Sequence, residues 1–309
     1  MNGGEALVDA PAGARLASPC VGVCRLDADT GWCLGCGRSA EDLAMWRDAD
    51  DAARERIWRE LPARQARLDL RFRLLPWTAP ALLGRLAAMS AEPGAAWTVG
   101  VYGAIAELMA LPGRALSAEA DAGGLTVRTR GGRLRLAAHP GLRAFALIGG
   151  SGRMTRIVLA LHRSRLPPPL HAITELGADQ EAVAAADRDA PLFDLGLGLA
   201  PVCFCVRTAD RATLRALRAA AGRPLMPASP LLPLLGEASP DRVLASPLGR
   251  LEVTGPILRH DHQGPHTHLL PDLLAQRREL EPGFALPEGY APCASFYPGR
   301  ADAVSACSG

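Results

Sequence analysis

Apolar and polar positions first fall into a pattern in residues 39–62. Ser39 with Asp42 three positions later reads as a capping box, and Leu43 with Trp46 makes an i, i+3 apolar pair. Asp50 or Asp51 can cap a second helix whose Ile57, Trp58 and Leu61 share one face, and Pro62 is expected to stop it. A further helix is predicted near residues 79–89. It leads into a second apolar segment, 97–111, in which Glu107 is read as an exposed helical position. Beyond it the period changes from helix to strand. Leu125 and Val127 alternate with Thr126 and Arg128, Leu134 and Leu136 alternate with Arg133 and Arg135, and Gly131-Gly132 joins the two runs as a β-hairpin. Strands are also predicted at 143–148, 155–162, 201–207 and 250–254, and helices near 178–186, 211–221 and 271–279. Hairpin-linked strands with helices between them give an α+β class built on a largely antiparallel sheet.

Composition shifts near Trp77 and divides the chain. Residues 1–18, rich in Gly, Ala and Pro, read as a disordered tail. Residues 19–64 read as a small cysteine module with two short helices, 65–77 as a linker and 78–309 as the α+β domain. The length of 309 residues agrees with two domains. A module of about 45 residues is marginal alone and needs a staple, which a bound metal would supply.

Charge and composition remove whole classes of chemistry. The 34 basic residues are all Arg. Without Lys there is no Schiff-base, pyridoxal-phosphate or P-loop lysine. A net charge of +2 without a basic stripe, and 5% aromatics that do not interleave with Arg, argue against nucleic acid as a partner. No stretch approaches 18 uninterrupted apolar residues and no signal peptide is visible, so no membrane association and a cytoplasmic location are expected. Thiols there stay reduced, which makes the eight Cys ligands or small buried hydrophobes rather than disulfides.

Four of those Cys follow the spacing Cys20-x3-Cys24-x8-Cys33-x2-Cys36. Two thiolates three positions apart can grip one ion from a tight turn, the Gly residues permit positive φ, and backbone N–H groups can bond to sulfur. Asp27, Asp29, Thr30 and Gly31 supply turn chemistry that folds the two pairs toward each other. Four thiolates satisfy zinc and equally hold iron or an iron–sulfur cluster. The segment Ser18-Pro19-Cys20-x3-Cys24-Arg-Leu-Asp27, Trp32-Cys33-Leu-Gly-Cys36-Gly37-Arg38, Trp46 and Leu61-Pro62-Ala-Arg64 resembles the domain-of-unknown-function 1289 family, a short bacterial module classed as a predicted iron–sulfur protein. That resemblance implies a metal-binding module.

Seven His are present, and His260, His262, His266 and His268 fall close together around a Gly264-Pro265 turn. Residues two apart in an extended segment face one way, so His266 and His268 could chelate a second metal ion, with Asp261 as ligand or orienting group. His266-Thr-His268 resembles the first strand of metal-dependent amidohydrolase barrels, but too little chain follows it to build a barrel. Residues 77–298, through Leu192-Phe-Asp194-Leu-Gly196, Phe204-Cys205-Val-Arg207 and Gly264-Pro-His266-Thr-His268-Leu-Leu-Pro271, resemble an uncharacterised bacterial family of hypothetical proteins. The pattern includes His266 and His268 and omits His260 and His262. Asp194, alone in an apolar run, is expected to pair with Arg207, to cap a turn, or to complete a two-His, one-carboxylate set. Cys203 and Cys205 read as small buried thiols, and Gly149-Gly150-Ser151-Gly152 as a turn. The leading expectation is a metal-binding module fused to a ligand-binding or interaction domain, with a protein partner left open. The alternative is a metal-dependent enzyme using His266, His268 and Asp194.

Overall fold

The computed structural model describes residues 16–101, 104–111, 113–149, 153–197, 202–258, 264–269 and 286–299. Its elements run α1 Ala40–Met45, α2 Asp51–Arg67, β1 Phe72–Leu74, α3 Ala79–Ser90, β2 Ala96–Val101, β3 Ala104–Met109, β4 Ser117–Asp121, β5 Gly124–Thr129, β6 Gly132–Ala137, β7 Arg143–Ile148 and β8 Met154–His162. They continue with β9 Thr174–Ala178, β10 Pro191–Asp194, β11 Cys203–Arg207, α4 Arg211–Ala220, α5 Leu231–Ala238, β12 Asp241–Ser246, β13 Gly249–Val253, β14 Ile257–Leu258, β15 His266–Leu269 and β16 Tyr290–Tyr297.

The class is α+β, with two sheets rather than one. The first has the order β1-β7-β8-β16-β2-β3-β15-β14 and the second β4-β5-β6-β13-β12-β11-β10-β9. Every described pairing is antiparallel except β14 with β15. Trp97, Val99, Ala106 and Leu108 of the first sheet and Leu134, Leu136, Phe204, Val206, Leu244 and Leu251 of the second share one buried core. Alternation aims these side chains inward and sends their neighbours to the outer faces.

Two of the predicted helices do not form. Residues 97–111 form the hairpin β2–β3, not a helix, and its register pairs Trp97 with Leu108 and Thr98 with Glu107. Residues 178–186 hold the end of β9 and an irregular strap rather than a helix. The hairpin β5–β6 forms as its alternation and Gly131-Gly132 require, with Gly131 at φ 86°. Both N-terminal helices also form. Ser39 and Asp42 make the reciprocal capping box, Asp50 caps α2, and α2 runs through Pro62 to Arg67 instead of stopping. The predicted helix at 271–279 and the turn at 150–152 lie outside the described residues.

The outer face of the first sheet positions both candidate sites. Ile57, Trp58 and Leu61 of α2, with Leu16 and Val21, pack on Leu74, Phe145 and Ala160. Trp58 Nε1 donates to the Ala17 carbonyl at 3.0 Å. From Phe145, one row of directly opposed residues crosses the sheet through Val158, Ser295, Thr98 and Glu107 to His266. Opposed side chains share a face. The row spans five strand spacings, about 24 Å. The cysteine module therefore covers one end of this face and the His pair lies at the other.

Candidate functional site

The cysteine module is built by turns. Asp27 Oδ2 accepts from the Thr30 backbone N–H at 2.9 Å and from its hydroxyl at 2.7 Å, and Gly31 at φ 69° completes the reversal. The returning chain is fixed by Asp27 N–H donating to the Trp32 carbonyl and Leu34 N–H to that of Arg25. Gly35 is the point of closest approach. A Cβ there would lie 2.7 Å from Val23 Cβ and 2.8 Å from Val21 Cγ2, so only glycine lets the Cys33–Cys36 turn seat against the Cys20–Cys24 loop. Gln65 Nε2 of α2 donates to the Cys36 carbonyl at 3.0 Å, and Arg64 Nη1 reaches Asp42 Oδ2 at 2.5 Å.

The four cysteines are not alike. Cys33 and Cys36 are buried, Cys20 is half-buried, and Cys24, at φ 48°, is exposed. Gly35 N–H points at Cys33 Sγ at 3.4 Å, and Arg38 Nε points at Cys36 Sγ at 3.4 Å. Burial pushes the Cys33 thiol up, but the backbone N–H groups of Gly35 and Cys36, the Cys36 thiol and the Arg38 charge together outweigh it and lower it. Burial is the larger influence on Cys36 and raises it. The charge of Cys20 raises Cys24. Arg38 is itself buried, with its guanidinium 5.2 Å from the centre of the Trp46 ring.

The second candidate site lies on β15. His266 is buried, and its Nδ1 lies 2.8 Å from the Gly264 carbonyl oxygen. Its Nε2 lies 2.9 Å from Nε2 of His268, with the rings nearly perpendicular at 89°. Between them Thr267 turns to the opposite face and accepts from Arg242 Nε at 3.2 Å. Arg242 is fully buried and also donates to the carbonyls of Ser239, Pro240 and Gly255. Burial pushes it down to about 10. This clamp fixes the backbone that carries both imidazoles. Glu107, directly opposite His266 in the register, is a residue that the helical reading of 97–111 set aside. Its alternation with Leu108 and Ala106 was the signal that placed it on an outer sheet face.

Asp194 stands elsewhere. It ends β10 in the second sheet opposite Cys205, and its Oδ1 accepts from Gly196 N–H at 2.8 Å. Burial raises its carboxyl, against the Gly196 N–H and the Cys203 thiol, and Oδ2 has no hydrogen-bond partner. Burial also raises Cys203, to about 11, and Cys205. Arg207 does not pair with Asp194. Its guanidinium meets Asp179 at 2.9 Å, Asp241 at 3.0 Å, Asp187 at 3.1 Å and Glu252 at 3.3 Å. His260, Asp261 and His262 lie outside the described residues. Among the described residues no three His, Cys, Asp or Glu side chains are gathered at metal-ligand spacing, whether at the four Cys or at His266, His268 and Asp194. Also among them, no helix is long and apolar enough to cross a membrane.

Comparison with known proteins finds two family models along the chain. Residues 18–65 match the model of DUF1289, a protein of unknown function. No curated protein and no solved structure matches the chain. Residues 81–305 match a family of unknown function, DUF6925, and over that span, most of its length, the chain belongs to this family.

Proposed function

We propose that Cys20, Cys24, Cys33 and Cys36 bind one thiophilic metal centre, zinc or iron–sulfur, and that this centre staples the N-terminal module onto the outer face of the first sheet. The observation that carries the reading is Arg38. It is 3% exposed, its Nε is aimed at Cys36 Sγ, and no carboxylate among the described residues forms an ion pair with it. A guanidinium stays charged and is costly to bury without a countercharge. Neutral thiols provide none. Four thiolates around a divalent ion carry a net double negative charge, which a buried guanidinium offsets.

The donor set fits such a group in three further respects. Its sulfurs are soft ligands, the Gly35 N–H already points at Cys33 Sγ, and the close approach at Gly35 holds the two Cys pairs side by side. When bound, a closed tetrathiolate centre supplies a crosslink rather than a reactive position. Exposed Cys24 then turns inward to close the shell. The second domain serves as the platform on which the module is fixed.

Metal and acid-labile sulfide analysis of the full chain, purified with and without oxygen, tests this against the Cys33→Ser/Cys36→Ser variant. One thiolate-bound zinc per chain, or iron with stoichiometric sulfide, is expected in the parent and is lost in the variant. Four freely titrating N-terminal thiols in a folded, metal-free parent would refute the proposal.

A further inference from the structure

The outer face of the first sheet carries a second constellation, about 24 Å along the sheet from the cysteine module. We propose that His266, His268 and Glu107 form a binding site for a borderline divalent cation such as zinc, nickel or iron(II), with positions left for water or an anionic ligand.

The tautomer follows from the contacts. A carbonyl oxygen only accepts, so the Gly264 carbonyl beside His266 Nδ1 requires a hydrogen on that nitrogen. In the tautomer with its one hydrogen on Nδ1, the ring's Nε2 faces His268 as an acceptor. A ring fixed by an Nδ1–H bond to a carbonyl is the arrangement in which histidine ligates metals. His268 Nε2 sits 2.9 Å away. Two metal–imidazole bonds of about 2.05 Å at a right angle span about 2.9 Å, so this separation is the edge of an octahedral shell. In the metal-free chain the proton on His268 Nε2 bridges the two nitrogens. On binding, both rings tilt so that their Nε2 lone pairs converge on a cation beside the N···N line, and that proton moves to Nδ1 of His268.

The third ligand is set by register. Glu107 is directly opposite His266 across β3 and β15, on the same face, with a Cα–Cα separation of about 4.5–5.5 Å. On binding, its side chain would turn to the shared edge, exchanging its present contact for the cation. Two imidazoles and one carboxylate on one face leave the remaining positions open. Asp194, in the second sheet, is not part of the set. Arg242 acts as a positioning residue through Thr267 and the Gly255 carbonyl.

Cobalt(II) titration of the metal-stripped full chain separates this site from the cysteine module. Thiolate-bound cobalt gives a strong sulfur-to-metal charge-transfer band, whereas a nitrogen and oxygen site gives only weak visible bands. The expected result is one cobalt equivalent without charge transfer, whether or not the thiolate equivalent forms. Glu107→Gln and His268→Gln should each weaken that equivalent at least tenfold while retaining the parent circular dichroism, and Asp194→Asn should leave it unchanged. Copper(II) electron paramagnetic resonance on the parent chain needs no variant and should show splitting from two nitrogens. Absence of this equivalent, unchanged affinity in both folded variants, its loss in Asp194→Asn, or a copper spectrum without nitrogen splitting would each overturn the proposal.

Discussion

Among the described residues, buried charge without an ordinary partner stands out at three, and each has a different consequence. Arg38 faces sulfur, Arg242 faces carbonyl oxygens, and Asp194 has one carboxylate oxygen with no partner. Arg242 remains cationic near neutral pH even when burial lowers it to about 10, with the charge of Asp241 opposing that shift. Asp194 is a carboxyl whose folded value is raised, chiefly by burial. The native chain therefore holds that proton more tightly than the unfolded chain. Its contribution to stability is full below the ordinary value of 3.8 and is lost as pH rises from there through the folded value. Asp194→Asn removes that loss. Thermal unfolding of the variant and parent across pH should show the variant more stable near neutrality, with the difference closing below pH 3.8. A difference independent of pH would show that Asp194 is already neutral-like in its energetics or serves another role. In the sequence, Asp194 stood out as a lone carboxylate in an apolar run with Gly196 N–H in local reach, but Cys203 did not stand out as its partner, because only the β10–β11 pairing brings it there.

At the scale of elements, legibility depended on whether the two faces of a segment differ. β5 and β6 alternate leucine and valine with arginine and threonine, and their hairpin is visible from composition alone. β2 and β3 are apolar on both faces, with Ile105 and Met109 on the outer side, so the run reads equally as a buried helix. The strap at 178–190 shows the opposite failure. Its alanines favour a helix, but long-range charges decide its path. Asp179 accepts from Arg207 at 2.9 Å and Arg250 at 2.5 Å, and Val183 N–H donates to Glu252 at 2.9 Å. Arg207 lies 28 positions or more from each of these carboxylates except Asp187, so no local pattern announces the hub. Its removal should be costly. Arg207→Met leaves Asp179 and Glu252 buried with Arg250 as their remaining cation, and the urea midpoint should fall by an amount toward the lower end of about 3–5 kcal/mol. A loss within about 0.5 kcal/mol, the range of ordinary surface substitutions, would show that the strap is held by packing instead.

For the whole molecule, the two segments read from the sequence as separate domains share a buried seam. Leu16, Val21, Ile57, Trp58 and Leu61 cover Phe145 and Ala160, residues 80 or more positions away, so neither segment is complete on that face without the other. The cysteine spacing was legible because it is local. The seam was not, since it depends on which strands become neighbours: β16 sits between β8 and β2, and β15 beside β3 more than 150 residues earlier in the chain. The module thus seats a four-cysteine sequence on the outer face of a sheet. Metal-edge X-ray absorption of the full chain carrying one equivalent of its co-purifying metal tests that account most directly. An all-sulfur first shell at about 2.3 Å is predicted. A first shell of nitrogen and oxygen, with the four cysteine sulfurs uncoordinated, would contradict it.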